Sequence, residues 1–535
     1  MTRDPSPIER MLAGLCAAAA YDHATTEIHM LETHISWIFL TGEYAYKIKK
    51  PVTFDFVDFS TLALRAHYCH EELRLNRRLA PDLYLAVVAI GGAWDTPRIG
   101  QTPALEYAVK MRQFKPNALA SQALANHQLT SAHMRDLATR LAEFHRLAAR
   151  AAAAASHGSA PVVIQQAMDN FIPLRTNLIP DSPELLYLNH VESWLCRQIT
   201  SLTPIWEQRK QQHHVREGHG DLHLANIIIS NDRLVPFDAL EFNEGLRFID
   251  TVADIAFLIM DLDYHSAPKL SRTLLNEYLD STGDFAGVIT LRFYLVYRAL
   301  VRAKVATLRS VQLANNLASS AEELRASVHH HLQLAFEYTQ KKSPIVLIMH
   351  GLSGSGKSTL ARALAAAVDA IWVRSDTTRK RLAGLTPDAH SDSPTHGGLY
   401  QASMTAATYD HMLSLTENLV TWDYAVLVDA TFLTQRQRTA FRQLARTRGL
   451  PFSILHCHAT PETLKARIET RQQQQSDASE ATLSVLHTQL AHIEPLSAEE
   501  NPFTITIDSE RPLDIDALAS EIRARTGNYT PPRVI

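Results

Sequence analysis

Residues 351–358 read Gly-Leu-Ser-Gly-Ser-Gly-Lys-Ser, between the unbroken apolar run Ile345–Met349 and a helix-like stretch, Thr359–Val368. This loop matches G-x-x-x-x-G-K-[ST], and a buried strand before it with a helix after it is the context that gives the pattern physical meaning. The glycines let the backbone curl around a phosphate, so a cradle is expected from Gly351, Ser353, Gly354, Ser355, Gly356, Lys357, Ser358 and Thr359. Lys357 then reaches the β- and γ-phosphates, and the Ser358 hydroxyl is placed to ligate Mg²⁺. A chain with this loop has to build a parallel sheet around the strand that carries it.

That sheet accounts for only part of the chain. At 535 residues there is room for two to four domains of ~100–200 residues. The clearest break is Gln340-Lys-Lys-Ser-Pro344, after the helical spacing of Ala321–Thr339. Expected domains are therefore 1–340 and 341–535. The first has a β-rich lobe to about residue 115 (Ile35–Leu40, Tyr44–Ile48, Val87–Ile90, Tyr107–Phe114) and a helical lobe from there to 340, which includes the Ala-rich run Ala148–Ala155. Lys+Arg 52 against Asp+Glu 56 argues against a protein that wraps extended nucleic acid. Cys16, Cys69, Cys196 and Cys457 lie far apart, which excludes a disulfide framework and suits a reducing, cytoplasmic setting. No apolar run approaches the ~20 residues of a membrane span. The run Met11–Ala20 reads as the buried face of an opening helix, because Asp4 and Glu9 in its flank do not suit a signal peptide.

Acidic residues accompany the loop. Asp429 ends a second buried strand, Ala425–Asp429, where it can hold Mg²⁺ through water or simply close the strand. Val373-Arg-Ser-Asp376 closes another, and an acid there points into the crevice where parallel sheets bind ligands. Asp376 is placed to accept a proton from a substrate hydroxyl, and Arg379, one turn on, to clamp an anion. Arg467 and Arg471 share a helix face, either as a lid over the transferring phosphoryl group or as a solvated face. Arg438, Arg442 and Arg446 form a stripe that reads as a solvated face or as a polyanion track. With Asp376, Arg379, Asp429-Ala-Thr431, Arg467 and Arg471 in view, residues 345–500 resemble the small P-loop kinases, such as polynucleotide kinases, gluconate kinase, chloramphenicol phosphotransferase and zeta toxins. The resemblance implies transfer of phosphate from ATP to a hydroxyl.

A second motif lies at His219-Gly-Asp-Leu-His-Leu-Ala-Asn226, which fits H-x-D-x-x-x-x-N. That spacing lets Asp221 orient or deprotonate an acceptor hydroxyl while Asn226 turns back onto Mg²⁺. Asp238 follows a short hairpin and is the second expected metal ligand; Asp250 and Asp254 are expected to brace the loop. A metal pair at His219 and His223 is the weaker alternative. Residues 1–340 thus resemble the aminoglycoside phosphotransferase and choline kinase-like family, which implies a bilobal kinase fold, ATP and two Mg²⁺ ions. The family's phosphate-gripping lysine falls on Lys47, with Lys49 on the same face, and its glutamate partner on Glu72 or Glu71. No G-x-G-x-x-G precedes Lys47, only Thr33-His-Ile-Ser-Trp-Ile-Phe-Leu40.

The combined expectation is an α/β and α+β chain: a bilobal protein-kinase-like unit followed by a P-loop parallel-sheet domain, an ATP-dependent phosphotransferase with two nucleotide sites. Its acceptor would be a small molecule or a nucleic-acid end, held by loops such as Pro387–Tyr400 and Asn170–Pro183. A regulatory pseudokinase unit or an ATP-gated switch are the alternatives.

Overall fold

The computed structural model describes residues 4–25, 27–54, 57–313, 318–387, 389, 401–474 and 482–527; most of the expected acceptor loop Pro387–Tyr400 lies outside them. The chain forms two compact units, one of residues 1–261 with 297–328, the other of 262–296 with 329–535. The parallel sheet begins just after the break at 341, but the preceding segment 262–296 belongs to its unit as well.

The first unit opens with a six-stranded antiparallel sheet in the order β1-β2-β3-β6-β4-β5: β1 (His29–Glu32), β2 (Ser36–Leu40), β3 (Tyr44–Lys49), β4 (Tyr84–Ala93), β5 (Thr96–Ile99) and β6 (Glu106–Arg112). Side chains alternate across it. Phe39, Tyr46, Ile48 and Ala108 face a cluster with Met11 and Leu15 of the opening helix, whereas Ala45, Val109 and Met111 face Cys69 of α1 (Leu62–Asn76). The opening helix, Pro7–Leu15, starts on a Ser6/Glu9 capping box and ends before the alanines at 17–20. Where a glycine loop would stand, β1 and β2 are joined by a three-residue turn that the Thr33 hydroxyl closes on the Ser36 carbonyl.

The helical lobe follows, with α2 (Ser131–Leu147) and α3 (Pro183–Gln211). The alanine run after α2 is not helical. Its backbone pairs instead with β7 (Val215–Glu217): Ala151 N–H meets the Val215 carbonyl at 3.1 Å and the Ala149 carbonyl accepts from Glu217 N–H at 2.9 Å. Helix propensity loses here to a neighbouring strand with unpaired groups. β8 (Ile227–Ser230) and β9 (Arg233–Pro236) form a hairpin around Asn231-Asp232, both at positive φ, as a two-residue turn requires. β10 (Phe248–Asp250) pairs with β7 and leads into α4 (Thr251–Tyr264).

In the second unit α5 (Pro268–Thr282), the start of α6 (Val288–Leu313) and the second half of α7 (Ala318–Thr339) precede the sheet. The sheet is fully parallel, in the order β12-β13-β11-β14-β15: β11 (Val346–His350), β12 (Ala370–Arg374), β13 (Ala425–Asp429), β14 (Phe452–His458) and β15 (Thr504–Asp508). Every residue of β11 and β12 is buried, which explains their unbroken apolar reading. Leu347, Met349, Trp372 and Leu455 pack beneath α8 (Lys357–Ala367), with Ala519 and Ile522 of α14 (Ile515–Thr526). α9 (Ser375–Leu382), α10 (Ala402–Thr421), α11 (Gln435–Thr447), α12 (Pro461–Gln474) and α13 (Leu483–His492) complete the unit. The order reverses at β11, so the crevice at its carboxyl end is where a ligand belongs. Among the described residues, no helix is long and apolar enough to cross a membrane.

On the other face of β11, His350 Nδ1 lies 2.7 Å from His456 Nδ1. Burial, then the charges of His456, Arg438 and Lys357, push His350 down to about 3. The unfolded chain takes up that proton near the ordinary value of 6.5, whereas the folded chain resists until about 3. The contribution of neutral His350 to stability is therefore complete above pH 6.5 and is lost progressively as pH falls towards 3. The midpoint of urea unfolding should drop from pH 7 to pH 5, and His350→Gln should flatten the drop. An equally steep pH dependence in that variant would assign the effect to other groups.

Candidate functional site

The loop at 351–358 joins β11 to α8 and has no room for a side chain at its start. A Cβ on Gly351 (φ +140°) would lie 2.3 Å from the Cys457 carbonyl oxygen. Lys357 is buried at the loop mouth, its Nζ donating to the Leu352 carbonyl at 2.7 Å. Burial lowers its pKa, while Asp429, Cys457 and Asp376 act in the opposite direction. Asp429, at the end of β13, is buried and shifted upwards by that burial, and the Ser358 hydroxyl hydrogen-bonds to it. Two hard oxygen donors thus meet beside the loop, which suits Mg²⁺.

These groups line a cavity of about 430 Å³ together with Asp376, Arg379, Tyr409, Thr431, Arg467 and Arg471. Asp376 sits in the first turn of α9, two residues beyond the end of β12, and pairs with Arg379 at 3.4 Å. Arg467 is drawn inward: its guanidinium reaches the Gly354 carbonyl at 3.3 Å and the Ser509 carbonyl and hydroxyl at 2.8 and 2.9 Å. Arg471, one turn on, lines the same cavity. Of the two readings of this pair, a solvated face does not describe Arg467.

The stripe on α11 is neither solvated nor a polyanion track at its first member. Arg438 is fully buried, bound to Glu500 at 2.7 and 3.1 Å and to the Phe432 carbonyl at 3.0 Å. It ties α11 to the segment before β15, a role that a periodic arginine pattern cannot reveal. Two site residues carried no sequence signal at all. The Tyr409 hydroxyl, on α10, accepts from Phe432 N–H at 3.0 Å and lies 3.4 Å from the Thr431 hydroxyl. Gln489 of α13 grips Ser353 twice, accepting from its N–H at 2.8 Å and donating to its hydroxyl at 2.9 Å.

In the first unit β3 presents both lysines to α1. Glu72 is fully buried and meets Lys47 at 2.9 Å and Lys49 at 2.8 Å, whereas Glu71 turns to Arg74. Lys47 also pairs with Asp238 at 2.5 Å, and Lys49 with Glu241. Burial opposes the Lys47 charge, but Asp238, Glu72 and Glu241 outweigh it and raise its pKa well above the ordinary lysine range. Asn226 donates to an Asp221 carboxylate oxygen at 2.9 Å, five residues apart as the loop pattern requires. Burial would raise Asp221, yet His223, His219 and Arg302 hold it below the usual aspartate range. Asp254 accepts from the N–H groups of His219 and Gly220 at 2.7 and 2.9 Å and from His145 at 3.0 Å, so it braces the loop. Asp250 holds Arg209 instead, at 2.6 and 2.8 Å. His219 turns to the Phe237 carbonyl and His223 to Asp221, so the two histidines do not converge as a metal pair.

Residues 346–496 match the family model described as AAA domain, a span that includes the loop, Asp376, Asp429, Arg467 and Arg471. Over 473 residues, 87% of this chain and 90% of the relative, the chain is 29% identical to an uncharacterized protein of Mycobacterium tuberculosis and to its Mycobacterium bovis counterpart. Among solved structures, a choline kinase from Cryptosporidium parvum covers 58% of this chain and 89% of its own (12% identity, TM-score 0.37). A gluconokinase from Sinorhizobium meliloti covers 35% and 94% (21% identity, TM-score 0.24).

Proposed function

We propose that the P-loop unit transfers the γ-phosphoryl group of ATP to a hydroxyl of a small molecule or a nucleic-acid end, and that the first unit holds a second, protein-kinase-like nucleotide site. The reading rests on one observation above all: Asp376 opens onto the same cavity as Lys357, Ser358 and Asp429. A switch that only binds and releases ATP needs no acid on the acceptor's side of the phosphate. In the step itself the acceptor oxygen bonds the γ-phosphorus, its proton passes to the Asp376 carboxylate, and the bond from phosphorus to the bridging oxygen breaks to release ADP. Mg²⁺ held near Ser358 and Asp429 would neutralise phosphate charge. Arg379 supplies an anion clamp, which favours an acceptor that already carries a negative group. The burial of Arg438 leaves no basic stripe along α11 for a long polyanion, and the four thiols are free, in keeping with a cytoplasmic protein.

The full chain should be screened with γ-labelled ATP against sugars, antibiotics, nucleosides and 5′-hydroxyl oligonucleotides. Transfer to none of them, and no labelled phosphate released, would refute the reading.

A second reading of the first unit has its own support. Lys47 and Asp238, expected on phosphate and metal, are paired with each other, and the turn before Lys47 is only three residues long. Both features suit a unit that binds nucleotide weakly or only regulates. Calorimetry separates the two readings. In full-length Lys357→Ala, Mg-ATP should still bind at one site per chain, and adding Asp238→Ala should remove that binding. Absence of any residual site would make the first unit a pseudokinase.

A further inference from the structure

β12 is an edge strand, and the carboxyl end of that strand carries the acceptor-side machinery. Its free edge is covered by α5, which the sequence places some 90 residues earlier, within the stretch that resembles the other kinase family. Asn276 meets it with both ends of its amide: Nδ2 donates to the Ala370 carbonyl at 3.0 Å and Oδ1 accepts from Trp372 N–H at 2.9 Å. That is the donor–acceptor pair a neighbouring strand would have offered. One helical turn on, Asp280 accepts from Arg374 at 2.8 Å through one carboxylate oxygen and from the Thr377 hydroxyl at 2.7 Å through the other. Arg374 and Thr377 flank Ser375 and Asp376. All four of these side chains, Asn276, Asp280, Arg374 and Thr377, are less than a tenth exposed.

The far end of α9 is held as well. Arg381 donates to the Asp280 carbonyl, and it can lie across the end of α5 because residue 283 has no side chain: a Cβ on Gly283 (φ +73°) would be 2.7 Å from the Arg381 Nε. One helical turn of α5 therefore grips α9 on both sides of Asp376 and Arg379, through an ion pair, a hydroxyl donated to the same carboxylate and a helix-end carbonyl.

We propose that Asp280 is a positioning residue for the P-loop site: it fixes the start of α9 so that Asp376 faces the transferring phosphate. The proposal rests on the reading of that cavity as a phosphoryl-transfer site. Asp280 touches neither the loop nor Lys357, so its loss should disturb the acceptor side and leave the donor side intact. Displacement of a reacting group by ~1 Å is enough to cost about 10²-fold in rate.

The test uses the full chain and release of labelled phosphate from γ-labelled ATP, with Lys357→Ala as the background. Asp280→Asn should lower kcat by ~10–10²-fold and, because it removes a charge partner of the buried Arg374, also lower the midpoint of thermal unfolding, with the Kd for a fluorescent ATP analogue unchanged. Thr377→Val should lower kcat alike by removing only the hydroxyl, with the thermal midpoint and the Kd both unchanged, and Thr377→Ser should restore turnover. The double variant Asp280→Asn/Thr377→Val should be little worse than either single one, since both break one link. Wild-type turnover in Asp280→Asn and Thr377→Val, with Lys357→Ala inactive, would overturn this inference alone. Parallel losses of turnover, nucleotide affinity and thermal midpoint in Thr377→Val would also overturn it, by showing a general structural role. Unchanged turnover in Lys357→Ala would overturn both this inference and the reading beneath it.

Discussion

Lys357→Ala is expected to reduce phosphoryl transfer by the P-loop unit by ~10²–10³-fold, the cost of one preorganised electrostatic contact to the transferring group. The structure gives the reason for so large an effect from one side chain. The ammonium is already buried and fixed on the Leu352 carbonyl, so it needs no reorganisation to meet a phosphate. Arg467 offers no substitute, since it is committed to Gly354 and Ser509. Steady-state kinetics on the acceptor found by screening would check this. Turnover within a few-fold of wild type would mean that the loop does not hold the reacting nucleotide.

Asp376→Asn should lower kcat by ~10²–10⁴-fold with little change in ATP affinity, since the amide keeps the size and one hydrogen bond but cannot take a proton. Arg379→Ala should instead raise the Michaelis constant for an acceptor that carries an anionic group, because it removes a clamp and not a base. The two variants thus divide kcat from KM across a pair of side chains only 3.4 Å apart. Equal effects of both on the same parameter would show that they work as a single ion pair. Unchanged transfer in Asp376→Asn would place the base elsewhere.

Short-range chemistry was the part of this protein that could be read from its sequence. The 351–358 loop, Asp429 at a strand end and the Asp221–Asn226 interval all reflect local spacing, whereas the pairing of Lys47 with Glu72 came only with the resemblance to the choline kinase-like family, which left Glu71 open. Residues that work through distant contacts left no such trace. Arg438 looked like one of three equivalent arginines until Glu500, 62 residues away, was found to meet it. Tyr409 and Gln489 are ordinary helix residues by pattern, and only the fold brings them to the loop. The alanines at 148–155 have every local reason to be helical and lose to the unpaired edge of β7. Asp280 and Asn276 lay within a helix assigned, by its position in the chain, to the other kinase-like unit.

The interleaved connectivity of the two units also bears on how the protein is made. Neither unit is a continuous stretch of chain, so neither is complete when its first residues leave the ribosome. The first waits for residues 297–328, and α5 waits for β12 and α9, whose partner side chains lie about 100 residues further on. At ~5–20 residues per second of synthesis, that delay is ~5–20 s. During this interval Asn276 and Asp280 lack the partners that β12 and α9 supply. A slower stretch of translation after residue 282 would prolong that interval, and a faster one through residue 382 would shorten it.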